Sequence, residues 1–500
     1  MTQVEMENRQ LVKLPRVLGP VAAFCVVVGS VIGSGIFLVP ATVAQNVPFV
    51  SGIVLVWVIG GLFSGAGALT LAELGAMLPR AGGLYVFLRV AYGALPAFLF
   101  GWVEFLVVRS GSMATLAAAF GRYFAQMVPP PELIRAELWQ TGAATVAIAL
   151  VTVVNVIGTR WGGTLQIFGT VLKVGGVMVL IALPFVLGRG TIANLSPMWP
   201  SAVQGSIFTG IMTAMIGVLW AYDGWTNVTP LAEEIRDPGR NVPRALIWGM
   251  AVLIGAYLSM TLAYHYVLPM SAVASASSKD VQSAVAAVYC DELLGRPGVV
   301  AISILVMCST FISLNGNALT GPRAYFAMAR DGLFPAGLCR VHNRFQTPAN
   351  AVLAQGIWAI VLTLAGTFLI VVSPSVAPGL PRWILAAWKK LNETPLYDLL
   401  YTYVIFGANL FYMLAISSVF VLRVRQPDLP RPYRAWGYPF TPLLYVAAAL
   451  LLLGNMLADH QSRVQSLAGL GIIVVGVPAY WLFRVNPPDI NGAVEPRTGG

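Results

Sequence analysis

Stretches without any charged residue dominate the chain, and the polar segments between them are short. The first stretch sets the scale: from Val17 to Ala72 there is no Asp, Glu, Lys or Arg. That length holds two helices of roughly 20 residues each, the number needed to cross a hydrocarbon core about 30 Å thick. Runs free or nearly free of charge recur at about 17–45, 47–72, 90–121, 138–159, 161–188, 205–232, 245–268, 297–322, 347–372, 399–422, 435–458 and 464–483. Inside a bilayer every backbone N–H and C=O must be satisfied within the protein, so runs of this length predict α-helices. The pattern predicts an all-α membrane protein with about 12 transmembrane helices. The apolar run after Arg16 far exceeds the roughly 7–15 residues of a signal h-region, so span 1 is expected to stay in the mature protein.

Composition agrees with this reading and narrows the chemistry. Of the 500 residues, 57% are hydrophobic and 10% charged, against about 25% charged in soluble domains, which excludes an ordinary soluble enzyme. The net charge of +10 points to topology rather than to nucleic acid, because most arginines sit in short connections and not on one basic face. With the N-terminus placed in the cytoplasm, 19 of the 30 Lys and Arg residues fall in inner segments and nine in outer loops, while Arg109 and Lys173 lie inside spans. The positive-inside rule therefore places both termini in the cytoplasm of a multi-pass protein of the cell (inner) membrane. Residues 1–16 and 485–500 read as tails, and 435–484 as the last two helices. Cys25, Cys290, Cys308 and Cys339 are scattered without CxxC spacing, so neither a disulfide framework nor a zinc site is expected. His265, His342 and His460 are far apart and neither HExxH nor GxSxG occurs, so no enzyme chemistry, cofactor or metal is expected.

Connections carry a few signals of their own. The outer stretch Ser373 to Thr394 is long, and Trp383 to Leu391 within it reads as a short interfacial helix with a structural role. Pro-rich 427–439, and Pro238 with Pro243, read as inner connectors.

Two spans carry sequences that oppose a continuous helix. In span 1, Gly29-Ser-Val-Ile32-Gly33-Ser34-Gly35-Ile-Phe37 places three glycines and two serines at mid-depth, where glycine is costly and serine competes for backbone hydrogen bonds. Either the helix breaks there, or Gly29 and Gly33 form a GxxxG packing face, as Gly61 and Gly65 would in span 2. In span 6, Trp220-Ala221-Tyr-Asp223-Gly224-Trp-Thr226-Asn227-Val-Thr-Pro230 is a run of poor helix formers with an acid inside it. Either this span is interrupted, or it ends near Tyr222. Two interruptions at matching positions of two five-helix halves, 17–190 and 205–425, point to an inverted-repeat transporter with a central site.

Other ionisable residues, Glu73, Glu104, Arg109 and Lys173, lie within or near the hydrocarbon. At mid-depth each would cost about 2.5–3.5 kcal/mol if unpaired, so each is expected to face protein. Glu104 and Arg109 are five apart, about 140° around an α-helix, and are expected to pair with other helices rather than with each other. Glu73, near a span end, is expected to be interfacial or structural.

These motifs together resemble the amino acid–polyamine–organocation superfamily, and within it the L-type amino acid transporters that form light subunits of heteromeric transporters. The resemblance runs over about 15–425 and includes the span 1 motif, Trp102 to Arg109, Gln166 to Lys173, Leu219 to Trp225 followed by Glu233 to Pro238, Ser313 to Asn317, and Ala329 to Gly332. It implies a LeuT-like 5+5 inverted repeat with broken helices 1 and 6 plus two further helices, and amino acid transport by alternating access, usually as exchange. Ser34 and Gly35, with Gly33 beside them, fall where backbone amides and the serine hydroxyl bind the substrate carboxylate. Ile32, Trp220 and Ala221 fall near the substrate ammonium, with the Trp220 ring over the site. Lys173 falls close to where sodium-coupled relatives of the same fold hold sodium, which implies sodium-independent transport.

Two departures stand out. The segment 121–142 lacks the cysteine through which animal members bond a heavy subunit, so no disulfide-linked partner is expected and a prokaryotic-type member is indicated. Thr226 stands where many relatives have Asn and Asp223 where many have a small residue, so both are candidates for side-chain selectivity. The expected function is a sodium-independent amino acid exchanger whose partners are the substrate and the bilayer. The alternatives are a proton-coupled symporter and a membrane amino acid sensor without transport.

Overall fold

The computed structural model describes residues 14–200, 207–276, 284–371, 396–458 and 463–483. The stretch Trp383 to Leu391, His460 and the C-terminal tail lie outside them. Among the described residues, twelve helical segments are long and apolar enough to cross a bilayer: Pro20–Asn46, Val50–Met77, Ala94–Met127, Ala136–Ile157, Thr159–Leu187, Ile207–Leu231, Pro238–Val267, Arg296–Arg330, Ala349–Leu369, Val404–Arg425, Phe440–Ala458 and Arg463–Phe483. They are called spans 1 to 12 below.

Burial ranks the spans by position. Span 1 has 89% of its apolar window inside the protein, whereas spans 5 and 12 have 28%; span 1 is therefore central and the other two face lipid. Span 2 runs along span 7, span 3 packs on spans 4, 8 and 10, and span 5 packs on spans 1 and 8. Gly61 permits part of the span 2 to span 7 contact, since a Cβ there would lie 2.9 Å from Ile254.

Several local readings change in the folded chain. Pro238 and Pro243 belong to the first turns of span 7 rather than to a connector; a proline at the first helical position loses no bond, because that N–H has no partner in the helix. Span 8 runs on past residue 322 as the helix Pro322–Arg330, so Arg323 is not a loop cation. It is fully buried and donates from Nε to Glu234 Oε1 at 2.7 Å and from Nη2 to Thr159 Oγ1 at 2.9 Å. Glu73 is likewise buried and holds span 2 to span 10: Arg423 donates to its two oxygens at 3.0 and 2.6 Å, and the Ala435 amide at 2.7 Å.

At the Leu18 end of the bundle, Glu233 and Glu234 gather separate stretches of chain. Leu18 pairs with the segment after span 6 through Leu18 N–H to Glu234 O and Arg236 N–H to Leu18 O. Glu233 accepts from the Leu14 and Ala81 amides and from Arg330. The Tyr85 hydroxyl donates to Asp331 at 2.7 Å; burial, and then the Asp331 carboxylate, push its pKa well above the usual phenol value, so it stays a donor.

The Arg323–Glu234 pair predicts an asymmetric response. Arg323→Met alone strands a buried carboxylate at a cost of about 3–5 kcal/mol, and folded yield in detergent should fall sharply. Adding Glu234→Leu should recover much of it; equal yields for the single variant and wild type would remove the pair from the set of stabilising contacts.

Candidate functional site

Span 1 is two helices. Pro20–Val31 ends before Ile32, Gly33 and Ser34, and a second helix runs from Gly35 to Asn46. A helix that ends in mid-membrane exposes carbonyls at its C-terminus and amides at the N-terminus of its continuation. Neighbouring side chains take the carbonyls of Gly29, Val31 and Ile32. Lys173 Nζ of span 5 donates to Gly29 O at 2.6 Å and Ile32 O at 2.5 Å, and to Ser313 Oγ of span 8 at 3.0 Å. Ser309 Oγ also donates to Ile32 O at 2.9 Å. On the far side of the break, Ser34 O already receives the Phe37 and Leu38 amides, which leaves the Gly35 and Ile36 amides ahead of the first helical bond. These point out of the helix end, where the macrodipole favours an anion.

Span 6 is interrupted at the same depth. An α-helix ends at Tyr222, Asp223 and Gly224 follow, and a 3₁₀ turn covers Trp225–Leu231. Gly224 has φ of +108°, a conformation closed to most side chains. The two breaks touch. A Cβ on Gly35 would lie 2.5 Å from Ala221 Cα, and the Tyr257 hydroxyl of span 7 lies 3.0 Å from both Val31 O and Ala221 O. Glycine at position 35 therefore serves helix contact as well as access to its amide, and a leucine there would disturb packing. Gly29 also has a packing role, since a Cβ would collide with Thr170 Oγ1, so break and close contact coexist in one motif.

A cavity of about 30 Å³ lies between the breaks, lined by Ser30, Gly33, Ser34, Gly35, Trp220, Asp223, Gly224 and residues of spans 3 and 8. That is room for one or two waters, and Ser34 and Trp220 are buried, so a larger guest requires the walls to move. Of the residues expected at the site, Gly33, Ser34, Gly35, Trp220 and Asp223 line this space. Ile32, Ala221, Thr226 and Lys173 stand behind it: Ile32 and Ala221 through their carbonyls, Lys173 on those of span 1, and Thr226 in the charge network below. Ser30, Val31, Ser112, Leu116, Gly224 and Asn317 complete the lining and were missed as site residues. Asn317 and Ser30 lay inside quoted motifs, whereas nothing in the sequence marked which face of span 3 presents Ser112 and Leu116. The Ser30 hydroxyl is buried without a hydrogen-bond partner.

The expectation that Glu104 and Arg109 avoid each other is wrong. Residues Glu104–Val108 form a π-helical turn inside span 3. Such a turn closes i to i+5 instead of i to i+4, so residues five apart come onto one face, and Arg109 Nε donates to Glu104 Oε1 at 2.5 Å. The guanidinium also donates to Asn317 Oδ1 at 3.3 Å, to Thr226 Oγ1 at 3.3 Å and to Asn227. The Tyr412 hydroxyl of span 10 donates to Asp223 Oδ1 at 3.0 Å.

Sequence comparison agrees with this architecture. The family model described as amino acid permease matches residues 18–477. The chain is 29% identical to the serine/threonine exchanger SteT of Bacillus subtilis, over 94% of this chain and 97% of that one. It is 28% identical to the human cystine/glutamate transporter, over 96% and 88%, and 30% identical to the b(0,+)-type amino acid transporter 1 of Mus musculus, over 88% and 82%. A bundle with two touching helix breaks around a small polar cavity, matched along nearly its whole length by one family of membrane carriers, belongs to the amino acid permease family.

Proposed function

We propose that this chain is a sodium-independent amino acid exchanger that works by alternating access, with its substrate at the junction of broken spans 1 and 6. The observation that carries the proposal is the pairing of the breaks across one cavity, with free-facing amides on one side and carbonyls on the other. A zwitterion fits that polarity, its carboxylate at the Gly35 end of the second half-helix, with the Ser34 hydroxyl, and its ammonium toward the carbonyl side near Ile32, Trp220 and Ala221. Exchange is supported by the Bacillus subtilis relative, which is named an exchanger. Residues 17–190 and 205–425 form the two inverted repeats of this proposal, and both termini face the cytoplasm of a cell (inner) membrane. The absence of cysteine from 121–142 supports action without a disulfide-linked subunit.

Lys173 has a defined part in this scheme. Its ammonium supplies the positive charge that a sodium ion would supply, and its donors hold the carbonyls of the first half-helix and Ser313 together. A second cation beside it would be repelled strongly in a low-dielectric site. The lysine thus ties the first half of span 1 to spans 5 and 8 and sets the balance between the two access states.

Proteoliposomes test the reading directly. Uptake of a labelled amino acid mixture should require amino acid inside, and should be equal in sodium and choline buffers. Accumulation driven by a pH gradient with empty vesicles would favour a symporter, and binding without uptake a sensor. Lys173→Ala should change uptake kinetics at least several-fold while the protein still folds; wild-type kinetics in that variant, or sodium dependence in the wild type, would refute its role.

Trp220 is assigned the cover over bound substrate, since a large ring at a helix break excludes water from the site. Trp220→Ala should lose most uptake and Trp220→Phe should keep more. Identical rates for both variants and wild type would mean that the ring covers nothing.

A further inference from the structure

Asp223 lines the cavity, but its charge is not left to the substrate alone. Arginine only donates hydrogen bonds and a carboxylate only accepts them, which fixes the sense of every bond between Arg109 and Asp223. Arg109 Nη2 donates to Thr226 Oγ1 at 3.3 Å, Thr226 Oγ1 donates to the Tyr412 hydroxyl at 3.4 Å, and Tyr412 donates to Asp223 Oδ1 at 3.0 Å. All four side chains are buried or nearly so. The chain of dipoles runs one way, positive end at Arg109 and negative end at the cavity, and aligned bonds of this kind strengthen one another in a low-dielectric interior.

The positive end is anchored outside the cavity. Arg109 is aimed by Glu104, and that aim exists only because the π-helical turn rotates the two residues onto one face. Arg109 does not line the cavity, yet it bonds two residues that do or that flank it: Asn317 directly, and Asp223 through the relay. The ionisable groups around Asp223 are Arg109 and Glu104 of span 3, with the phenols of Tyr412 and Tyr445 from spans 10 and 11.

We propose that Arg109, acting through Thr226 and Tyr412, is a positioning residue for substrate selectivity: it orients the Asp223 carboxylate and offsets its charge, so that the cavity favours uncharged over cationic amino acid side chains. This deepens the proposed function and rests on Asp223 as the carboxylate facing the substrate side chain. A relay broken between Arg109 and Asp223 would free the carboxylate to pair with a cationic side chain. Loss of the carboxylate itself would do the reverse.

The opposite signs make the test. Proteoliposomes carrying wild type or variants are given an equimolar isotope-labelled mixture of the common amino acids, and the ratio of lysine plus arginine to neutral amino acids accumulated is read by mass spectrometry. Tyr412→Phe should raise that ratio by about tenfold. Because Arg109 variants alone would strand Glu104, the double variant Glu104→Gln/Arg109→Gln removes both charges together, and it too should raise the ratio. Asp223→Asn should lower it. If Asp223→Asn lowers the ratio while Tyr412→Phe and the double variant leave it within about twofold of wild type, the relay is refuted and Asp223 stands. An unchanged ratio in Asp223→Asn overturns the assignment of Asp223 and the relay with it. A uniform loss of all amino acids in Tyr412→Phe and the double variant, at wild-type ratio, shows a scaffold role only and also overturns the proposal.

Discussion

A transmembrane helix that stops halfway must hand its unsatisfied backbone groups to something else, because the bilayer offers no water to take them. Most of the interior of this protein follows from that requirement. The carbonyls that close the first half of span 1 fall to Lys173, Ser309, Ser313 and Tyr257, contributed by spans 5, 8 and 7. Three oxygens, Gly29 O, Ile32 O and Ser313 Oγ, take the bonds of the buried Lys173 amine. The Gly35 end that opens the second half lines the cavity, so the same constraint that organises the packing also sets amides beside that space.

Span 6 solves its own interruption by different means. Its Asp223 accepts from the Tyr412 hydroxyl, and its 3₁₀ turn is held through Thr226 and Asn227 by the Arg109 guanidinium rather than by an ammonium. The two breaks are thus clamped independently, one by a lysine from span 5 and the other by an arginine from span 3. They meet through Tyr257, the contact of Gly35 with Ala221 and the contact of Gly224 with Ser30.

The number of spans, the candidate breaks and Asp223 were legible in the sequence, because a glycine cluster and a mid-depth acid depart from what an apolar helix tolerates; Ser34, Gly35 and Trp220 were marked as site positions by the family resemblance. A glycine cluster or an acid at mid-depth has a large free-energy signature, and no tertiary knowledge is needed to notice it. Lys173 was legible for the same reason. What could not be read was anything dependent on local helical pitch or on which face turns inward. The distance between Glu104 and Arg109 was judged from an ideal 3.6-residue turn, and one π-helical turn reversed the conclusion. Arg323 was counted with the inner cations because the charge-free run ends at 322, although Pro322 opens a new helical segment there. Ser112 and Leu116 carry no mark that separates them from a dozen equivalent positions on lipid-facing or buried helices.

The contact of Gly35 with the backbone of Ala221 has a consequence for how such a cavity can diversify. One wall consists of main chain pressed against main chain, and main chain cannot be altered by changing a side chain. Where those backbones touch, no side chain can be exchanged, so variation in the cavity falls to the side chains that line it elsewhere, Ser30, Ser34, Ser112, Leu116, Trp220 and Asn317, and to the bonds that orient Asp223. The skeleton at the breaks is the fixed part of this cavity, and its side chains are the replaceable part.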